Sequence, residues 1–115
     1  MSKAKKITKK KQQSLARTSK RKQLTEWSLA VRERDGKKCV VCGREDYLNA
    51  HHILPKENYK EFMYELINGV TLCPTHHKFG KYSAHKNQMW FAVFLQKNRK
   101  TQYTWAAKNI GSEND

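Results

Sequence analysis

Cys39-Val40-Val41-Cys42-Gly43 and Cys73-Pro74-Thr75-His76 each contain two metal-ligand residue types separated by two residues. This spacing is typical of zinc knuckles, and a glycine after the second cysteine permits the positive φ that turns backbone amides toward sulfur. The 3 cysteines and 5 histidines all lie between positions 39 and 85, and an odd number of cysteines argues against a disulfide framework. The pattern predicts a structural zinc ion whose binding is coupled to folding. Its four ligands would be Cys39, Cys42, Cys73 and His76.

The remaining histidines suggest a second site. Residues 47–53 are predicted to form a short strand, and neighbouring strand residues point to opposite sides. His51 and His52 therefore cannot serve one ion in the same way, so one can bind a metal while the other faces a substrate. His77 follows His76 on a predicted helix, and its side chain is rotated by about 100° from that of His76. A pair of His51 and His77 is then placed to hold a second, incompletely coordinated divalent ion.

Two points stay open from the residues alone. The sequence does not decide which of His76 and His77 faces which metal. His85 is either a surface histidine, a phosphate contact or a third metal ligand.

The chain resembles the HNH endonucleases over about residues 30–80. The matching segments follow in order: Cys39-x-x-Cys42-Gly43, His51-His52-Ile53-x-Pro55, Asn68-Gly69-Val70-Thr71-Leu72-Cys73 and His76-His77-x-x-Gly80. Residues 83–87 extend the likeness and resemble small phage-encoded members. One departure is that His76 occupies the position of a last cysteine in many zinc-bearing members.

The resemblance implies a small α+β protein with a ββα-metal, treble-clef-like fold, a structural zinc and flanking helices. It implies that His51 and His77 bind the catalytic ion, that His52 is the general base, and that Asn68 braces the loop that orients His52. The implied ion is Mg²⁺ or Mn²⁺, with Ni²⁺ or Zn²⁺ also tolerated, and the implied products are a 5′-phosphate and a 3′-hydroxyl.

The charge is concentrated at the N-terminus. The chain has 24 Lys and Arg residues against 10 Asp and Glu residues, a net charge of +14, and ten of the 24 cations lie in residues 1–22, where there is no acid. We predict a disordered tail that contacts DNA phosphates, the alternative being a solubility tail or a targeting signal. Five further cations are either phosphate contacts or part of a solvated face: Lys78, Lys81, Lys86, Arg44 and Lys56.

The chain divides into the tail, a nuclease domain over residues 23–98 and a loosely ordered C-terminal tail over residues 99–115. Residues 23–34 have the spacing of an amphipathic helix. Asn68-Gly69 predicts a turn before a short strand at residues 70–72. Asn87 is expected to cap a helix that buries Trp90, Phe91, Phe94 and Leu95.

No apolar run approaches the ~20 residues that span a bilayer. We therefore expect a soluble, intracellular protein. The expected compartment is the cytoplasm of a bacterium, including a bacterium infected by a phage. The expected function is metal-dependent DNA cleavage, by nicking or double-strand cutting, with low specificity or with specificity supplied by a protein partner or a homodimer. The alternative is a noncatalytic zinc-binding module that binds nucleic acid.

Overall fold

The computed structural model describes residues 8–111 and shows a small α+β protein built on a two-stranded sheet. Its helices and strands are α1 (Lys9–Arg34), β1 (Asn49–His52), β2 (Gly69–Leu72), α2 (Gln88–Asn98) and α3 (Lys100–Asn109). Two 3₁₀ turns (Lys60–Phe62 and Leu66–Asn68) precede β2, and a π-helical turn (Thr75–Phe79) follows it. No helix within these residues is both long enough and apolar enough to cross a membrane.

The sheet lies between α1 and α2. β1 and β2 are antiparallel, with His51 opposite Val70 and His52 opposite Gly69. Val70 belongs to the core cluster that includes Phe91 of α2, whereas Gly69 lies against α1. Because paired residues share a face, His51 faces α2 and His52 faces α1.

Close packing between β2 and α1 explains why position 69 is a glycine. A Cβ atom there would come within 2.6 Å of side-chain atoms of both Trp27 and Val31 on α1. Gly69 is the first residue of β2, with an extended backbone, and Asn68 ends a 3₁₀ turn. The predicted turn therefore lies one residue earlier than expected, ending at Asn68, and the predicted strand at residues 70–72 is confirmed with Gly69 as its first residue.

Helix α1 differs from the sequence prediction at its N-terminal end. It begins at Lys9, where Thr8 caps it by accepting a hydrogen bond from the Lys11 N–H at 3.1 Å, so residues 9–22 are helical rather than a disordered tail. Residues 1–35 contain no glycine or proline. Lys, Arg, Gln, Ala and Leu are good helix formers, and here their propensity outweighs the repulsion between like charges. The start of the predicted tail, residues 1–7, lies outside the described residues.

The C-terminal helices form a hairpin. The Asn87 side chain accepts a hydrogen bond from the Trp90 N–H at 3.0 Å, which confirms the predicted cap of α2. Residues 100–109 form α3, so the predicted loosely ordered tail is wrong over this range. Gln102 is 7% exposed and donates to the carbonyls of Ile67 and Gly69, and these contacts hold α3 against β2. Residues 112–115 lie outside the described residues.

A buried carboxylate connects three of these elements. The Asp35 side chain, 1% exposed at the end of α1, accepts hydrogen bonds from Arg34, from Arg99 and from the Thr71 N–H of β2. Burial alone raises the pKa of Asp35, but the bonds from Arg34 and Thr71 outweigh it, so the pKa lies below its usual 3.8. The stabilisation from Asp35 is therefore complete above about pH 4 and is lost as the pH falls through the lowered pKa.

We expect Asp35→Asn to lower the free energy of unfolding at pH 7 by roughly 2–4 kcal/mol, since several charge-assisted hydrogen bonds weaken together. The difference from wild type should shrink below about pH 4. Urea unfolding, measured from pH 7 down to the lowest pH at which both proteins remain folded, tests this. The control is Glu33→Gln, which removes an exposed pair with Lys37 and should change stability by less than about 0.5 kcal/mol. Equal effects of the two variants would contradict the role of Asp35.

Candidate metal centres

Three cysteines and one histidine form the first cluster. Within the part of the chain that the structure describes, Cys39, Cys42, Cys73 and His76 place one ligand atom each within 4.8 Å of one another. The cysteines are free thiols, of which Cys39 and Cys73 are buried and Cys42 is exposed. The cluster can hold a metal ion.

The spacing of the ligand atoms agrees with a tetrahedral ion. Sulfurs about 2.3 Å from one zinc ion would be about 3.8 Å apart, and a sulfur and an imidazole nitrogen about 3.5 Å apart. The Cys42 and Cys73 sulfurs are 3.7 Å apart, and His76 Nδ1 lies 3.3 Å from the Cys73 sulfur and 3.9 Å from that of Cys39. The four residues therefore fit one four-coordinate ion without rearrangement.

The knuckle around Cys39 owes its shape to local hydrogen bonds. Gly43 has a φ of 80°, and its N–H donates to the Cys39 carbonyl at 2.9 Å. Burial raises the pKa of the Cys39 thiol, but backbone N–H groups of Cys42 and Cys73 outweigh this effect and lower it. The turn thus favours the thiolate at Cys39, which is the form that binds metal, whereas burial raises the pKa of the Cys42 thiol.

The π-helical turn separates His76 from His77. The Gly80 N–H donates to the Thr75 carbonyl at 2.8 Å, so this turn is wider than an α-helical turn. His76 points toward the cysteines, while the His77 ring lies 5.1 Å from that of His51. Two adjacent residues therefore serve two different clusters.

The second cluster consists of histidines only. His51, His77 and His85 place one ring nitrogen each within 4.8 Å of one another. The Nε2 atoms of His77 and His85 are 3.1 Å apart, close to the roughly 3 Å expected for two nitrogens bound to one ion at about 2.1 Å. On the side of the cluster that faces the core, the Phe91 ring packs against the His51 ring, with the two ring centroids 5.2 Å apart.

His51 and His77 are held in the neutral form. Burial, followed by the neighbouring rings of His77 and His85, lowers the pKa of His51 to about 3. Burial and His85 lower the pKa of His77 to about 4. Neutral imidazole is the form that binds metal, so the cluster is prepared for an ion at neutral pH.

His85 is the member that the sequence left unassigned. Backbone hydrogen bonds from the Ala84 and His85 N–H groups to the carbonyls of His76 and His77 fold residues 84–85 back along the π-helical turn. This return places His85 beside His77, although the two are eight residues apart. No periodicity in the sequence indicates this contact, because it depends on an irregular loop.

His52 has a separate environment on the other face of the sheet. Its ring stacks on Trp27 of α1, with centroids 3.9 Å apart and an interplanar angle of 7°. Its Nε2 lies 2.9 Å from the Met63 carbonyl, and because a carbonyl only accepts, Nε2 carries the proton and Nδ1 is the acceptor. Burial lowers the pKa of His52 even though the bond to Met63 opposes it. The ring is neutral at pH 7, oriented, and able to accept a proton at Nδ1.

Asn68 secures the loop that follows His52. It is fully buried, accepts a hydrogen bond from the Leu54 N–H at 2.7 Å, and donates to the carbonyls of Leu54 and Phe62. These bonds join both ends of residues 54–62. Met63, whose carbonyl is the partner of His52, directly follows Phe62, so the Asn68 bonds anchor the backbone beside it.

The five cations singled out from the sequence lie in different settings. Arg44 pairs with Asp46 and lies over the Tyr47 ring, while Lys56 is close enough to His52 to lower its pKa. The other three follow the His77 turn and are exposed: Lys78, Lys81 and Lys86. The ammonium of Lys86 donates to the Phe79 carbonyl, and that of Lys81 lies 5.4 Å from the Tyr82 ring centroid.

The fold and the two clusters define the protein as a small α+β protein with a Cys₃His cluster that can bind a metal ion. Residues 39–83 match the family model for HNH endonucleases, a segment that includes β1, β2 and all of the first cluster. Over this segment the chain is similar to the HNH endonucleases. Comparisons with curated proteins and with solved structures gave no match.

Proposed function

We propose that this protein is a metal-dependent DNA endonuclease that hydrolyses phosphodiester bonds. In this proposal Cys39, Cys42, Cys73 and His76 bind a structural zinc in a treble-clef-like ββα-metal domain. His51 and His77 bind the catalytic ion, and His85 completes the set as a third ligand. The observation that carries the proposal is the convergence of His77 and His85 on His51, the neighbour of His52 in β1.

The two metal clusters suit different tasks. Four protein ligands leave no position for substrate on the first ion, whereas three leave positions open on the second. An ion held by His51, His77 and His85 would supply Lewis acidity toward a phosphate oxygen and offset charge on the leaving oxygen. The Cys₃His cluster is therefore assigned to stability and the histidine cluster to chemistry.

His52 is proposed as the general base. Its Nδ1 takes a proton from the attacking water, while the bond from Nε2 to Met63 and the stacking on Trp27 hold the ring. Because His52 faces α1 and His51 faces α2, the scissile phosphate must lie across the end of the sheet, where His52 and Gly69 form the last pair. Asn68 is proposed as a positioning residue that fixes the Met63 loop.

The donor set bears on the identity of the catalytic ion. All three residues of the second cluster offer imidazole nitrogen, and none of them offers a carboxylate. Imidazole suits Zn²⁺, Ni²⁺ and similar ions, whereas Mg²⁺ prefers oxygen. We therefore propose that Mn²⁺, Ni²⁺ or Zn²⁺ supports cleavage better than Mg²⁺.

We propose that exposed cations in and after the π-helical turn contact the substrate. Lys78, Lys81 and Lys86 would contact phosphates and position the duplex without reading bases. Arg44 and Lys56 would contribute at the edge of the site, with Arg44 restrained by Asp46. Contacts of this type imply low sequence specificity, or specificity supplied by a protein partner or a homodimer.

The test is cleavage of supercoiled plasmid by the purified full chain with Mg²⁺, Mn²⁺, Ni²⁺ or Zn²⁺ added separately. We expect nicked or linear product, with faster conversion in Mn²⁺ or Ni²⁺ than in Mg²⁺. His77→Ala should lose most of the activity because it removes a proposed ligand of the catalytic ion. A protein that binds DNA and retains one zinc but leaves the plasmid intact with every metal would instead be a noncatalytic module.

A further inference from the structure

The N-terminal part of α1 extends from the domain as a strongly basic arm. We define the arm as residues 9–22, which carry seven cations: Lys9, Lys10, Lys11, Arg17, Lys20, Arg21 and Lys22. The arm contains no acid, and every residue from 8 to 23 is exposed. Its charge is therefore directed to solvent and not to the protein's own carboxylates.

The charge of the arm is greater on one side. Residues three, four or seven positions apart lie on one face of a helix. Arg17, Lys20, Leu24, Trp27 and Val31 follow this spacing, so the apolar face that packs on the sheet continues outward as a basic stripe. Lys9 lies on the same stripe because 18 residues, or about five turns, separate it from Trp27.

The stripe points to the same side as the proposed base. Trp27 is the residue on which His52 stacks, and Lys20 lies about two turns before Trp27 on the same face of α1. Polyanionic substrate lying at His52 therefore meets the stripe as it leaves the domain. Lys11 and Lys22 lie about 140–160° around the helix from Trp27 and face away.

We propose that the arm binds the phosphate backbone of duplex DNA as a continuous extension of the nuclease site. This inference rests on the proposed function, because it takes the substrate at His52 to be DNA. The arm adds about 21 Å of rigid contact, equivalent to about six base pairs of B-form duplex. A straight helix matches the regular backbone of a duplex better than that of a flexible single strand.

The repulsion within the arm supports an anionic partner. Arg17 lies three and four residues before Lys20 and Arg21, and like charges at these spacings destabilise a helix. Phosphates placed along the stripe would offset this repulsion. The helix should therefore become more stable when DNA binds.

The experiment compares two double variants of the full chain that remove equal charge. Arg17→Gln/Lys20→Gln changes the stripe, and Lys11→Gln/Lys22→Gln changes the opposite face. Glutamine has nearly the same helix propensity as lysine and arginine, so both variants should keep the helix, which circular dichroism verifies. Fluorescence anisotropy with labelled DNA and no added divalent ion then measures binding without cleavage.

On a 24-base-pair duplex, we expect the stripe variant to raise Kd by about tenfold and to reduce the slope of log K against log salt by about 2, as for two lost phosphate contacts. The control variant should change Kd by less than about threefold. The stripe effect should be weaker on a 10-base-pair duplex and on a single strand of 24 nucleotides.

Equal weakening by the two variants would overturn the proposal, since it would make the arm a diffuse charge with no preferred face. An equal effect on single strand and duplex would overturn the choice of duplex. Stripe-dependent binding to phosphatidylserine vesicles, with no effect on DNA, would assign the arm to membranes instead. Failure of the plasmid assay would reject the nuclease without altering these binding comparisons.

Discussion

Replacing His52 is expected to reduce plasmid cleavage by about 10²- to 10⁴-fold, the usual contribution of a general base. The structure holds the His52 ring by stacking on Trp27 and by the bond from Nε2 to the Met63 carbonyl, which leaves Nδ1 as the acceptor nitrogen. Removal of the base should leave DNA binding and metal content unchanged. The loss should therefore appear in the rate at saturating DNA rather than in the DNA concentration required.

Two substitutions separate this catalytic role from a packing role. His52→Ala removes the base and also the ring that stacks on Trp27. His52→Phe restores an aromatic ring against Trp27 but offers no nitrogen. We expect both variants to be inactive and His52→Phe to be the more stable in thermal unfolding. Wild-type cleavage by a folded His52→Phe protein would show that His52 is not the base.

Loss of the Cys₃His ion is expected to unfold the domain. Structural zinc sites contribute apparent free energies of about 10–16 kcal/mol at pH 7, comparable with or larger than the whole stability of a typical small protein. Cys73 is 1% exposed and directly follows β2, so its substitution disrupts both the cluster and the core. We expect Cys73→Ser, or wild type treated with a strong chelator, to lose cooperative thermal unfolding.

The matched control for this experiment is His77→Ala. His77 belongs to the same π-helical turn as His76 but lies in the second cluster. His77→Ala should retain one zinc per chain and unfold near the wild-type temperature while losing cleavage. A Cys73→Ser protein that remains folded without bound metal would contradict the structural assignment of the first cluster, and zinc quantification beside circular dichroism decides this.

Local chemistry explains how much of the fold was predictable. The strand at residues 47–53 contains β1, and the Asn87 cap of α2 is present with the expected hydrogen bond. Both depend on neighbours within a few residues, where side-chain type and spacing carry most of the information. Residues 9–22 are helical although their charge predicts disorder, because their helix propensity outweighs the repulsion between like charges. The order of residues 100–109 is not evident from the sequence, because α3 is held by contacts with distant residues, such as those of Gln102 with the carbonyls of Ile67 and Gly69.

The family likeness, the grouping of metal-binding residues and the ligand pairs at Cys39 and Cys73 can all be recognised in the amino-acid sequence. These follow from residue types at fixed short spacings, which restrict geometry whatever surrounds them. Three contacts arise only in the folded chain: His85 lies beside His51 and His77, Asn68 holds the loop that leads to Met63, and Trp27 stacks on His52. Each of these depends on a chain reversal or a helix contact between distant residues, and such contacts are fixed by packing rather than by local pattern.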